Sequence, residues 1–290
     1  MGIDNIAARA LLLAKFTEGV SFENTITLGR HRNYMGPLLQ RSVEKNLKLP
    51  SHSLQENYAD SFFRYLGASK LFTLDFSSYE NADLIHNLNL PLNTDQLEGY
   101  TLVVDAGTSE HIFNLPQALQ NIRDLCEVGG HALMISPANG WLGHGFYQFS
   151  PELLFRSFDS SNGFNIEFAY LSKTNLFGTY WYKLTDPREL GERGTIATNK
   201  KCSLIFLAKK ISSNQISTIP NISDYEIAWE GSKISKLGAI YISLPINLRQ
   251  IVARVIISPL NKIRHRRNLK YVRFAWVHTA YREKSRSQRC

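Results

Sequence analysis

Carboxylate and imidazole side chains follow the apolar runs between residues 71 and 152 of this chain. Asp75 closes the run Leu-Phe-Thr-Leu, Asp105 closes Tyr-Thr-Leu-Val-Val, and Glu110 follows shortly afterwards. Ionised carboxylates accept hydrogen bonds from the hydroxyl groups of a ligand, and histidine moves protons near neutral pH. His111 follows Glu110 directly, and His144 lies between two glycines. We therefore take His111 and His144 as candidate general bases or acceptor contacts.

The elements that would position these side chains can be read from the same stretch. Short apolar runs predict strands at 71–75, 100–105 and 131–136, and the helical pattern at 115–128 ends in two glycines. Strands that alternate with crossover helices are typical of a parallel sheet. Ligands of such sheets bind at the carboxyl ends of the strands. The acidic residues fall at those ends, which favours a shared binding site.

The rest of the first 210 residues extends this pattern. Helices are predicted at 3–18, 36–47 and 54–66, with a further start at Ser150-Pro151-Glu152. A first strand is predicted at 24–28, an extended piece at 83–86, and an antiparallel sheet edge from 164–171 and 202–208. Residues 172–200 are interpreted as a loop-rich insertion. The predicted domains are an α/β domain at 1–210, a linker or appendage at 211–243, and a basic apolar segment at 244–290.

The string Gly107-Thr-Ser-Glu110-His111, followed by a helix and Gly-Gly, resembles the core of class I S-adenosylmethionine-dependent methyltransferases. The resemblance spans roughly residues 22–208, and its strong motifs lie in 71–152. It implies an α/β fold with a doubly wound, mostly parallel sheet, the Rossmann-like methyltransferase fold. It also implies S-adenosylmethionine as cofactor and methyl transfer to a small polar or glycan-type acceptor.

The resemblance also implies which residues bind the cofactor. The matching positions are Gly29, Asp75, Phe76, Asn87, Asp105, Gly107 and Glu110. Gly29 stands in the turn after the first strand, where the family has several glycines and this chain has one. Asp75 matches the acid that holds both ribose hydroxyls, and Asn87 or Asn89 matches the residue near the adenine amine. Asp105 falls beside the expected methyl-transfer position.

Several of these residues have an alternative, purely structural interpretation. An Asp after a strand, such as Asp75, is often a helix cap or turn former, and His111 would also suit a helix cap. No HExxH and no clustered histidine and carboxylate spacing occurs, so the sequence predicts no metal site. A GxSxG motif and a GxGxxG motif are also missing, which argues against a serine nucleophile and a nicotinamide cofactor.

The positive charge of the chain is concentrated at its C-terminal end. The net charge is +8, but residues 245–290 contain 12 Lys and Arg against the single acid Glu283, so the remainder is slightly acidic. A basic segment mixed with Ile and Val favours an anionic membrane surface over nucleic acid as its partner. We expect a cytoplasmic protein, since three widely spaced cysteines form no CxxC pair. Peripheral attachment at a membrane is the alternative location.

The alternative function is a catalytically inactive, methyltransferase-like binding or scaffold protein. The sparse glycine turn at Gly29 motivates this hypothesis, and the basic segment at 245–290 would attach such a protein to a membrane surface. A missing cofactor affinity would support it. The two hypotheses therefore differ in whether the chain binds S-adenosylmethionine.

Overall fold

The computed structural model describes residues 2–93, 99–175, 178–190 and 198–213, together with 196, 220–223, 225–226, 245, 248, 251 and 270–272. The helices are α1 (Asn5–Phe16), α2 (Pro37–Asn46), α3 (Asp60–Tyr65), α4 (Leu115–Leu125), α5 (Pro151–Ser157) and α6 (Pro187–Leu190). The strands are β1 (Gly2–Ile3), β2 (Asn24–Leu28), β3 (Arg32–Asn33), β4 (Lys70–Asp75), β5 (Leu84–Ile85), β6 (Tyr100–Asp105), β7 (Cys126–Asn139), β8 (Phe164–Asn175), β9 (Gly178–Lys183), β10 (Cys202–Lys210) and β11 (Lys270–Val272).

A nine-stranded sheet organises the described part of the chain, in the order β11-β9-β8-β10-β7-β6-β2-β4-β5. The strands β5, β4, β2, β6 and β7 are parallel to their neighbours. Strand β10 runs antiparallel between β7 and β8, so β8 points the same way as the parallel set. Strands β1 and β3 form a separate parallel pair.

Helices cover both faces of this sheet, because side chains of each strand alternate between two apolar clusters. Leu102 of β6 packs with α1, α2 and α3 on one face. Its neighbour Val103 packs with α4 and α5 on the other face. The predicted α/β class with a doubly wound, mostly parallel sheet is therefore confirmed.

The predicted end of the helix at 115–128 was wrong. Helix α4 ends at Leu125, and β7 begins at once with Cys126. The two glycines lie inside β7, where Gly129 has a φ of +92°. A Cβ on Gly130 would lie 2.7 Å from the backbone oxygen of Tyr100. The glycines therefore let β7 bulge and approach β6, instead of ending a helix.

Two other expectations need correction. The insertion predicted as loop-rich at 172–200 contains β9, which pairs antiparallel with β8, and the short helix α6. The helix predicted at 54–66 is reduced to α3, Asp60–Tyr65. The β-branched and aromatic content of Gly-Thr-Tyr-Trp-Tyr-Lys was the available signal for β9.

Most of the predicted linker at 211–243 and of the basic segment at 244–290 lies outside the described residues. Two described pieces of the linker contact the α/β domain. The backbone N–H of Ser223 donates to the Glu152 carboxylate at 2.9 Å, and Arg188 pairs with Glu226 at 2.6 Å. Among the described residues, no helix has the length and apolar character needed to cross a membrane.

Candidate active site

A cavity of about 300 Å³ lies beyond the carboxyl ends of β6 and β7. Its sheet side is formed by residues that follow β6, with Ile135, Ser136 and Pro137 of β7. The first turn of α1 lines it as well, and Asp4 caps that helix by accepting hydrogen bonds from the N–H groups of Ile6 and Ala7. The cavity therefore lies where ligands of open α/β sheets bind.

The turn after β6 directs Glu110 into this cavity. Its second residue, Gly107, has a φ of +95°, a conformation that favours glycine. The buried Asp105 carboxylate accepts the backbone N–H of Thr108 at 2.9 Å and that of Ser109 at 3.3 Å, and it also accepts the Ser109 hydroxyl. The described role of Asp105 is thus to stabilise the turn, and its predicted contact with cofactor stays a prediction.

The Glu110 side chain is almost fully buried, at 1% exposure. Its Oε2 atom has no hydrogen-bond partner among the described residues. Burial is the main cause that raises the pKa of Glu110 to about 8, and the nearby Asp105 carboxylate is the second. A buried carboxylate without compensating donors is costly, so the site favours a proton or a cation beside it.

Two histidines stand over this carboxylate. The Nε2 atom of His144 lies 3.6 Å from Glu110 Oε1, and that of His111 lies 3.9 Å from the same oxygen. The two imidazole rings pack edge to face, with centroids 5.1 Å apart. Burial is the main cause that lowers the pKa of His111, and the neighbouring His144 is the second. The structure therefore brings both predicted histidines to one carboxylate.

The loop that carries His144 is held on the backbone of Glu110. The Glu110 carbonyl accepts the backbone N–H of Phe146 at 2.8 Å and that of Tyr147 at 3.3 Å. Gly145 makes this contact possible, because a Cβ there would lie 2.8 Å from the same carbonyl oxygen. Trp141 packs on His144 with ring centroids 4.9 Å apart, and its indole N–H donates to the Cys202 carbonyl at 2.8 Å.

A second cavity, of about 490 Å³, adjoins the first through Tyr34, which lines both. Its lining is mostly polar and aromatic and consists of Arg32, Asn33, Tyr34, Gln40, Gln55, Glu56, Asn57 and Tyr58. Amide, guanidinium and phenol groups offer many donors and acceptors for a ligand rich in hydroxyl groups. The second cavity therefore offers further polar contacts next to Tyr34.

Three of the residues predicted to hold the cofactor, Gly29, Asp75 and Phe76, lie at the ends of β2 and β4 and line neither cavity, whereas Gly107 and Glu110 line the first. Gly29 has a φ of +77°, and its N–H donates to the Leu74 carbonyl at 2.7 Å. Asp75 Oδ1 accepts the N–H of Phe76 at 2.6 Å, and among the described residues the other carboxylate oxygen has no hydrogen bond. The Phe76 ring is 70% exposed beside it. A free acceptor and an exposed ring fit a ribose and an adenine base.

Asn87 lies in a loop that side-chain hydrogen bonds hold in place. Its side-chain oxygen accepts the backbone N–H of Asn89 at 3.0 Å and the Asn89 amide at 2.8 Å. The buried Asn121 amide donates to the carbonyls of Leu88 and Leu90. The contact of Asn87 with adenine stays a prediction.

Sequence reasoning identified Glu110, His111 and His144 singly but missed that they form one cluster. Each offers one candidate ligand atom, and these atoms all lie within 4.8 Å of one another. The two histidines are 33 positions apart, so no local spacing shows the cluster. The adjacent Glu-His pair and the Gly-His-Gly loop were the only signals of it.

Comparison with known proteins found similar solved structures. No protein-family model and no curated protein sequence matches this chain. TehB from Haemophilus influenzae is 14% identical, with 70% of this chain and 61% of that chain covered and a TM-score of 0.38. The trans-methyltransferase CalH in complex with SAH is also 14% identical, with 70% and 55% covered and a TM-score of 0.38.

A third similar structure is a TehB-like SAM-dependent methyltransferase from Corynebacterium glutamicum, 13% identical, with 70% and 87% covered and a TM-score of 0.30. This chain spans about 60% of the length of the first two structures. Structural similarity at this level supports no conclusion about function. The fold class given above rests on the strand order and the strand directions themselves.

Proposed function

We propose that this protein transfers a methyl group from S-adenosylmethionine to a hydroxyl group of a polar acceptor. The observation that carries the proposal is the cluster of Glu110, His111 and His144 in a cavity at the carboxyl ends of β6 and β7. Proton-moving groups at that edge of a doubly wound sheet suit a reaction that activates a hydroxyl group.

The cofactor would lie along the ends of β2, β4 and β6. Asp75 would accept hydrogen bonds from both ribose hydroxyls, and the exposed Phe76 ring would pack against the adenine. Gly29 and Gly107 lack a Cβ at the two turns that flank this path. Bound S-adenosylmethionine supplies an electrophilic methyl group on a sulfonium.

The residues of the cavity would align the acceptor and remove its proton. The acceptor oxygen would form a bond to the methyl carbon while the carbon–sulfur bond would break with its electron pair left on sulfur. The hydroxyl proton leaves to the imidazole cluster of His111 and His144, which both line the cavity. The first turn of α1 and Trp141 also line the cavity and would help to align the acceptor.

The second cavity supports a glycan-type acceptor. A sugar placed with one hydroxyl group at Glu110 would pass Tyr34 and continue along Gln55, Asn57 and Tyr58. Amide groups satisfy sugar hydroxyls in both donor and acceptor roles, and aromatic rings pack on the apolar faces of sugars.

One observation favours the second candidate function, an inactive binding module. The residue after Gly29 is Arg30, whose guanidinium pairs with Asp60 at 2.7 Å and lies 4.1 Å from the Tyr58 ring. It also donates to the Glu80 carbonyl at 3.1 Å. A large, well-fixed side chain directly beside the only glycine of this turn narrows the approach of a ligand to the backbone.

Calorimetric titration of S-adenosylmethionine separates the two functions. We expect saturable binding to the wild type and at least tenfold weaker binding to Asp75→Ala, about 1.4 kcal/mol. Glu167→Ala removes an exposed carboxylate of β8 and serves as the matched control with unchanged affinity. A second assay would then measure release of the demethylated cofactor in the presence of mono- and oligosaccharides. No binding at millimolar cofactor would refute methyl transfer and favour the binding module.

A further inference from the structure

Two separations in the cluster of Glu110, His111 and His144 suit ligands of a shared ion better than direct hydrogen bonds, and the three ligand atoms all lie within 4.8 Å of one another. The distances of 3.6 and 3.9 Å from Glu110 Oε1 to the two Nε2 atoms exceed the hydrogen-bond range. Metal–nitrogen and metal–oxygen bonds are about 2.0 to 2.2 Å long, so two ligands of one ion commonly lie about 3 to 4 Å apart. Neither Nε2 atom is therefore hydrogen-bonded to Glu110 Oε1.

We infer that Glu110, His111 and His144 bind one divalent transition-metal ion, and that this ion in turn binds the hydroxyl group of the acceptor. The inference deepens the proposed function, because it changes the role of the histidines from bases to ligands. The ion acts as a Lewis acid that makes the acceptor hydroxyl more acidic, and the released proton leaves to water.

The buried carboxylate is the strongest argument for a cation at this place. Glu110 Oε2 is buried and has no hydrogen-bond partner among the described residues. Leaving such a carboxylate without compensation costs free energy, whereas a cation bound at its other oxygen, Oε1, compensates the negative charge that both oxygens share. The second carboxylate nearby, Asp105, is already saturated by the turn that it caps, so it does not compete for the ion.

The local backbone is built so that all three ligands fit around one point. Gly107 places Glu110, since a Cβ there would lie 3.3 Å from Glu110 Oε1. Gly145 lets the loop that carries His144 pass close to His111, since a Cβ on residue 145 would lie 3.2 Å from His111 Nδ1. Trp141 packs on the His144 ring and limits its rotation. Preorganised ligands of this kind raise affinity because little freedom is lost on binding.

The donor set indicates the class of metal. Two imidazoles and one carboxylate suit Mn²⁺, Fe²⁺, Co²⁺ or Zn²⁺, whereas Mg²⁺ and Ca²⁺ prefer sites made of oxygen ligands. Three protein ligands leave open positions, and the described cavity adjoins all three residues. An acceptor with two neighbouring hydroxyl groups, as in many sugars, would fill two of those positions.

Titration of the full-length, chelator-treated protein with Co²⁺ tests the site without relying on activity. We expect one equivalent to bind with visible d–d absorption, and at least tenfold weaker binding to Glu110→Gln and to His144→Ala. His144 is half exposed, so its truncation keeps the fold and guards against a Glu110 variant that fails to fold. His52→Asn is the matched control, because His52 is an exposed histidine with a φ of +66° that Asn also tolerates.

The outcomes separate the metal site from the proposed function. Binding of Co²⁺ that the control retains and both cluster variants lose supports the site, even if no acceptor is methylated. Binding that is missing from the wild type, or equal in all variants, overturns the site. Methyl transfer that continues at full rate after chelation also overturns it and leaves the proposed function standing.

Discussion

Replacing Gly145 by alanine is expected to separate His144 from Glu110 without changing any chemical group of the site. A Cβ at residue 145 would lie 2.8 Å from the Glu110 carbonyl oxygen and 3.2 Å from Glu110 Cγ. Carbon atoms in van der Waals contact prefer about 3.5 Å or more, so the loop must retreat by roughly half an ångström. The His144 Nε2 atom then moves beyond its present 3.6 Å from Glu110 Oε1.

The cost of this retreat can be worked from the contacts that hold the loop. The Phe146 N–H donates to the Glu110 carbonyl at 2.8 Å, and weakening one such bond costs about 1 kcal/mol. Inserting a methyl group into a packed contact adds about 1 to 2 kcal/mol. We expect a loss of about 2 to 3 kcal/mol in the free energy of unfolding, together with at least tenfold weaker Co²⁺ binding.

The assay pairs urea denaturation with the Co²⁺ titration. Gly143→Asn is the control, since a Cβ at Gly143 meets nothing within 4 Å and Asn tolerates its φ of +78° better than other residues. We expect the control to bind Co²⁺ like the wild type. If Gly145→Ala equals the wild type in both stability and metal binding, the packing of this loop on Glu110 is refuted.

Three further predictions concern the surrounding fold. Arg156, buried and paired with Asp159 and Asp186, holds two carboxylates together, so Arg156→Met should lower the free energy of unfolding by about 3 kcal/mol in urea melts, and an unchanged midpoint would contradict this. Asn121→Ala removes three hydrogen bonds to the 88–92 loop and should cost about 2 kcal/mol, whereas full stability would show that the loop holds itself. Burial lowers the pKa of His31 and His131 to about 4, so the unfolded chain binds protons first as the pH falls below 6.5. The free energy of unfolding should therefore fall between about pH 6.5 and 4 by up to about 3 kcal/mol per histidine, and these histidines should cause no further loss below pH 4. A flat stability profile over this range would contradict the burial of both rings.

The ends of β4 and β6 were predictable from the sequence because each apolar run is closed by an aspartate, whereas β7, β8 and β10 extend beyond their predicted ends. The run at 100–105 coincides with β6, and that at 71–75 differs from β4 by one residue. The glycine pair after α4 was misread, because Gly-Gly serves equally as a helix stop and as a bulge. Pairing with β6 decided between them, and that contact is between distant parts of the chain.

The members of the site were predictable, whereas their arrangement was not. Glu110 and His111 follow a strand, where sequence reasoning expects ligand-binding residues. The approach of His144 depends on a loop whose backbone hydrogen bonds reach back to Glu110, and no residue type encodes that distance. The wall formed by α1 was likewise unpredictable, since it depends on the pairing of β1 with β3.

The position of β10 has a consequence for how the chain reaches its folded state. This strand is the last of residues 2–213 to be synthesised, and yet it lies between β7 and β8 and pairs with both along most of its length. Its final residue, Lys210, donates to the backbone carbonyls of Arg123 and Cys126 at 2.8 and 2.7 Å. A nascent chain that ends before residue 202 therefore presents two long unpaired edges, which invite association with other chains. Completion of the sheet must await emergence of β10 from the ribosome, so aggregation of prematurely terminated chains is the expected cost of this topology.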